Sequence, residues 1–175
     1  MKKGYWFYIF ILLACTCVNL QAQKFQQASA TGHITAEIID NFTAIETSQM
    51  NFGPFAPGSY GGQIILTPES TVSVIGSVIK GIGSYNAASF FISGDNSTTF
   101  SITLPESPVT LVNAINAKTI KVSNWVSLPS STPGAEILRS GNKTVYVGAT
   151  LEVGTLENNP VGIYEGSYTI MFDFN

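Results

Sequence analysis

Catalysis by a side-chain nucleophile needs a hydroxyl or thiol, a base within reach and a group that orients that base. This chain offers one imidazole, His33, and two thiols, Cys15 and Cys17, both near the N-terminus. His33 falls on the polar side of an alternating run and reads as an exposed strand residue. No Gly-x-Ser-x-Gly elbow occurs. Gly81-Ile82-Gly83-Ser84 lacks the spacing and the following helix of a phosphate-binding loop, so it reads as a turn. The carboxylates could in principle cleave glycosides as a pair, but none sits in a recognisable motif. Zinc favours clusters of His and Cys, which the sequence does not supply. Gly94-Asp95-Asn96-Ser97 could lend oxygens to calcium, yet no second acidic cluster is near it in sequence, and it reads as a polar turn. We therefore assign no catalytic, cofactor-binding or metal-ligating residue and no cofactor. Three aromatics remain, Tyr60, Tyr85 and Trp125, placed in or near loops or opposite a strand's apolar face. They could stack on a sugar or pack at the rim of a core.

The elements that would carry these residues are strands. Alternation of apolar and polar positions marks a half-buried strand, and it recurs along the chain. Ala30, Gly32, Ile34, Ala36 and Ile38 share one face against Thr31, His33, Thr35 and Glu37. Phe100, Ile102 and Leu104 form a second such face, and Val145, Val147, Ala149, Leu151 and Val153 a third. The last run, Tyr164 to Phe174, alternates most clearly, with Met171 as its one exception. Weaker candidates are 45–52, 62–67, 71–79, 87–93, 109–114 and 119–126. Their Thr, Val, Ile and aromatic content suits a pleated surface. Each proline falls outside these runs, as strand ladders require. Gly53–Gly62 and Ser127–Asn142 read as long loops. About ten short strands and no significant helix predict an all-β, antiparallel sandwich over residues 23–175.

Residues 1–22 read as an export signal. Lys2 and Lys3 precede an apolar stretch from Tyr5 to Val18, and Asn19-Leu20-Gln21-Ala22 leads to a small residue. Lipidation at Cys15, within Leu12-Leu13-Ala14-Cys15, is the alternative. Cleavage after Ala22 leaves 153 of the 175 residues and no cysteine, so the apolar core must hold the fold without disulfides. Six basic residues would then face eleven acidic ones, a net charge of −5 (six minus eleven). The basic residues are scattered, which argues against nucleic acid as a partner. No later run is long enough to span a membrane as a helix. The expected location is the surface, periplasm or exterior of a Gram-negative bacterium.

Several segments carry a family likeness: Met50-Asn51-Phe52-Gly53, then Ala88-Ser89-Phe90-Phe91-Ile92-Ser93-Gly94. The spaced pair Val147-Gly148-Ala149-Thr150-Leu151 and Gly162-Ile163-Tyr164-Glu165-Gly166-Ser167-Tyr168 is the more specific part. In these the chain resembles the exported bacterial domain-of-unknown-function 4402 family, and through it fimbrial subunits and spore-coat-U-type proteins. The resemblance implies an immunoglobulin-like sandwich with a structural or adhesive role at the cell surface and no enzymatic activity. Its partners would be other envelope or pilus-like subunits, or glycans. A pilin-like subunit completed by a donor strand and a carbohydrate-binding module are the alternatives. Only Gln23–Gln27 precede the first alternating run, so the expectation is a self-complete sandwich whose first and last strands both pair within the molecule.

Overall fold

The computed structural model describes residues 28–38, 42–131, 136–138 and 141–174. The chain divides into two units, Met1–Ile38 and Ile39–Asn175. The signal segment and the Cys15 alternative lie outside the described residues. In the first unit, residues 28–38 contain no strand, and every one of them is exposed. The strand expected at Ala30–Ile38 is therefore corrected. Its alternation is real, but these residues carry no strand pairing among the described residues, and Ile34 and Ile38 are 97% and 99% exposed.

The second unit is all-β and antiparallel, with no helix among its described residues. Its strands are β1 (Thr43–Ser48), β2 (Phe55–Ala56), β3 (Gly62–Leu66), β4 (Val72–Gly76), β5 (Ile79–Lys80), β6 (Ala88–Ser93) and β7 (Thr99–Thr103). They continue as β8 (Val109–Asn113), β9 (Thr119–Leu128), β10 (Glu136–Ile137), β11 (Asn142–Val153), β12 (Tyr164–Glu165) and β13 (Met171–Phe174). A large sheet runs β1-β6-β11-β9-β8-β12, with β3 joined to β11 and β4 to β3. A smaller sheet runs β10-β7-β13, and β2 pairs with β5.

Burial follows the alternation where a strand has a core on one side. In β11, Val145, Val147, Ala149, Leu151 and Val153 are all buried. Two clusters make up the core. One gathers Ile64, Leu66, Ile120, Val122, Ala149 and Leu151 around the β3–β11–β9 junction. The other packs Ala88, Ile92, Val145 and Val147 of the large sheet against Phe100 and Ile102 of the small one, a sandwich-like arrangement. Met50 and Trp125, both only partly buried, pack against each cluster.

Turns are secured by side chains that compete with the backbone for hydrogen bonds. Between β3 and β4, the Thr71 amide donates to Thr67 Oγ1 at 3.3 Å, and Ser70 takes a left-handed conformation at φ 62°. Between β8 and β9, buried Asn113 accepts from the Ile115 amide at 2.9 Å. After β11, buried Asn159 donates through Nδ2 to the Thr119 carbonyl at 2.8 Å, tying that loop to β9.

Two further expectations change. The terminal run from Tyr164 to Phe174 is not one strand. Tyr164–Glu165 pair with β8 of the large sheet, and Met171–Phe174 pair with β7 of the small one. Residues 166–170 between them have no ladder partner, because the chain is crossing from one sheet to the other. Met171, the apparent exception to the alternation, is 55% exposed and so points where its neighbours' polar residues point. The two expected loops are also not wholly irregular, since each contributes a two-residue strand, β2 and β10.

Candidate functional site

Each residue the sequence singled out has a definite place. His33 lies in the exposed 28–38 segment. Gly81–Ser84 follow β5 without regular structure, and the Gly81 amide donates to the Pro54 carbonyl at 2.9 Å. Gly94–Ser97 turn the chain from β6 into β7, with the Ser97 amide bonded to the Leu138 carbonyl at 3.0 Å. No group of three or more metal-ligating side chains occurs among the described residues. The three aromatics do not form a platform. Tyr60 is 91% exposed at a loop tip. The Tyr85 hydroxyl donates to the Gly81 and Pro54 carbonyls, and the Lys80 ammonium sits 4.3 Å from its ring centre.

Trp125 is placed differently, at the floor of a groove of about 770 Å³. One wall is the end of β1 and the residues after it, from Glu46 to Phe52; the other is Ile163–Tyr168. Phe90, Val109, Leu111, Val122 and Trp125 lie between them. The walls include the ends of the large sheet's path, β1 and β12, each of which has one side without a strand partner among the described residues. They run in opposite directions. Just before β1, Phe42 stacks on Phe174 of β13, with ring centres 4.3 Å apart and planes 14° apart. Across the groove, Glu46 acts electrostatically on Tyr168. The groove thus opens where the two core clusters meet, beside the partly buried Met50 and Trp125.

Its floor carries polar atoms in an apolar setting. Trp125 packs on Tyr168 with centres 4.7 Å apart, and Phe90 meets Tyr168 edge-on at 6.4 Å. The Trp125 Nε1–H and the Tyr168 hydroxyl are both buried without a hydrogen-bond partner among the described residues. A buried donor left unpaired costs about 1–3 kcal/mol, so an arriving acceptor would gain there. Burial, with the Glu46 carboxylate adding to it, holds the Tyr168 hydroxyl well above the usual tyrosine range.

That shift has a pH consequence. The unfolded chain begins to ionise this tyrosine near pH 10, while the folded hydroxyl keeps its proton. The unfolded state therefore loses protons first, and this contribution to stability falls as pH rises from about 10. Urea midpoints followed across that range should decline less steeply for Tyr168→Phe than for the unaltered chain. An identical slope would show that Tyr168 ionises freely in the folded state.

With both cysteines in the predicted signal, thermal stability of the processed chain should respond neither to reductant nor to chelator. A melting shift of several degrees with a calcium chelator would point to the Asp95 turn as a cation site.

Sequence reasoning found the groove only in part. It singled out Trp125, but not the facing walls, because they come from opposite ends of the domain. The alternation in 164–174, with Met171 as its exception, is the available signal. No helix among the described residues is long and apolar enough to cross a membrane. No curated protein and no solved structure matches the chain. The model of the domain-of-unknown-function 4402 family (DUF4402) does, over residues 42–174, which takes in both walls of the groove, and the chain belongs to that family.

Proposed function

We propose that this is an exported structural domain of the bacterial envelope, without catalytic activity, that docks an extended polypeptide in the groove beside Trp125. The observation that carries this reading is the pair of facing edges, β1 and β12, each with one side that no strand of the described residues pairs, around a floor of Phe90, Val109, Leu111, Val122 and Trp125. Such edges are templates for another strand, and strand addition is a recurrent mode of peptide recognition. The fimbrial likeness and an immunoglobulin-like topology belong to the same proposal. The apolar N-terminal stretch after Lys2 and Lys3 supports export.

A glycan ligand is the second reading, favoured by Trp125 and Tyr168 beside the polar groups of Glu46, Gln49 and Asn51. It is the weaker one, since the two rings are packed against each other.

Cross-linking of intact cells, followed by fractionation, tests the proposal. The processed chain should sit in the envelope fraction, linked to itself or to another envelope protein. Recovery in the cytoplasm, or uncross-linked material retained by polysaccharide in affinity electrophoresis, would overturn it. Intact mass of the exported chain should match a start at Gln23. A lipid-modified Cys15 would instead tie it to a membrane.

A further inference from the structure

A sheet that does not close on itself ends in strands with one unpaired side, and proteins blunt such edges with charge, proline, bulges or brevity. Three ends of the sheets follow that practice. β1 carries Glu46 and a register shift between Glu46 and Ser48, β12 is two residues long and carries Glu165, and β13 carries Asp173. β4 has none of these devices. Val72-Ser73-Val74-Ile75-Gly76 holds no charge and no proline, pairs with β3 in an unbroken register, and has no second strand partner among the described residues. All but Val72 are exposed, Ile75 at 55%.

The free backbone groups of β4 are arranged so that the strand matches itself. The Thr67 amide donates to the Thr71 carbonyl at 2.9 Å, and the Ser77 amide to the Gly61 carbonyl at 2.8 Å. Bonded and non-bonded pairs alternate along an antiparallel ladder. Between those two limits, Ser73 and Ile75 therefore spend their backbone groups on Ile65 and Gln63. Val72, Val74 and Gly76 turn theirs away from β3. A two-fold axis at Val74 sets each of these residues opposite another of the same set, Val74 to Val74 and Val72 to Gly76. On the outer face, Ile75 of each copy would then lie opposite Ser73 of the other.

We infer that two copies of this chain pair through β4, antiparallel about a two-fold axis at Val74, and so join their large sheets into one. Charge favours a second copy at this edge. The chain is net acidic, −3 over the whole sequence, so two copies repel each other in general. Pairing β1, β12 or β13 with its own counterpart would bring like carboxylates together, whereas β4 brings none. The symmetry also sets the size of the assembly. Each β4 is consumed by one partner, so the product is a closed dimer and not a chain. Other elements line the groove beside Trp125, so the pairing stands whether or not that groove docks a polypeptide.

Sedimentation equilibrium of the processed chain provides the test. Its mass should rise with concentration and level off at twice that of the monomer. Val74→Pro should remain monomeric throughout, since proline removes the outward amide and sets its ring on the edge. That amide takes no part in the pairing with β3, so the variant should still unfold cooperatively. Ile75→Lys, at an exposed position, should weaken the dimer about tenfold or more, because two ammonium groups would lie diagonally across the axis. Val74→Cys adds a geometric readout, for the processed chain holds no other cysteine. Residues opposite each other in a bonded antiparallel pair have Cα atoms about 5.5 Å apart, within reach of a disulfide. An oxidant should link Val74→Cys into a covalent dimer. It should leave Ser73→Cys unlinked, because its two copies are offset by two residues.

A processed chain that stays monomeric at every concentration overturns the inference, and so does a dimer that Val74→Pro leaves intact. Mass that climbs past the dimer also overturns it, since a two-fold pairing closes. If Val74→Pro does not fold, Ile75→Lys and the two cysteine variants decide. An undiminished dimer with the first, or equal linking at positions 73 and 74, would mean a different surface or register and would overturn the pairing proposed here.

Discussion

Replacing Phe100 by alanine is expected to cost about 3–5 kcal/mol, the range for a fully buried aromatic truncated to a methyl. Phe100 has no exposed surface. It lies on β7, the middle strand of the small sheet, and its ring faces Phe172 at 6.3 Å and Phe174 at 6.2 Å. Ile92, Leu138, Val145 and Val147 are buried in the same cluster. The ring is therefore a main contact between the small sheet and the large one. Domains of this size have net stabilities of about 5–15 kcal/mol, so the variant would retain a fraction of the margin or none. Urea unfolding of the purified chain should show the midpoint fall without a change in slope. A loss below about 1 kcal/mol would mean that the small sheet is held chiefly by its strand pairing and not by this cluster.

The contrast between Phe100 and Ile34 explains how much was legible in the sequence. Both sit in clean alternating runs, Phe100 with Ile102 and Leu104, Ile34 with Ala36 and Ile38. One is wholly buried and the other almost wholly exposed. Period two reports which residues share a face, whatever the backbone then pairs with. Pairing is a long-range property, and it is decided for Phe100 by β10 and β13, which follow it by tens of residues. Where both flanking strands were themselves readable, as for β3, β6, β8, β9 and β11, the expected ranges match the observed ones to within a few residues.

The same reason hides the groove. Its walls are Glu46–Phe52 and Ile163–Tyr168, more than a hundred residues apart, and its floor draws on β6, β8 and β9. The sequence marked Trp125 as an aromatic opposite its strand's apolar face, a position that reads as exposed. In the fold the chain bulges at Asn124 (φ 50°), where the register with β11 shifts, so Trp125 turns to the core side and packs on Tyr168 from the crossing segment, half-buried with its Nε1–H enclosed. The crossing itself was masked by alternation that continues from Tyr164 to Phe174 while the ladder partner changes from β8 to β7. The turn residues were easier to read. Gly94–Ser97 and Gly81–Ser84 need only local backbone geometry, and the fold has them as connections between strands.

Gly148→Val should be nearly as damaging as the loss of Phe100, and for the opposite physical reason. Gly148 lies inside β11, the central strand, between the stretch that pairs with β6 and the stretch that pairs with β3. A Cβ built there would lie 2.2 Å from the Leu66 carbonyl oxygen and 2.7 Å from the Thr67 carbonyl carbon. Both are backbone atoms where β3 ends and its turn begins, so no side chain can swing aside to make room. The register between β11 and β9 also shifts between Gly148 and Thr150, which leaves the ladder little freedom to absorb the displacement. Overpacking a core position costs about 1–3 kcal/mol and more where backbone must move, so a loss of about 3 kcal/mol or above is expected. Gly32→Ala supplies the comparison, because an added Cβ at Gly32 meets nothing within 4 Å. Thermal unfolding of the two variants should place Gly32→Ala with the unaltered chain and Gly148→Val well below it. A Gly148→Val protein that melts with the unaltered chain would show that the turn after β3 can lift away from β11.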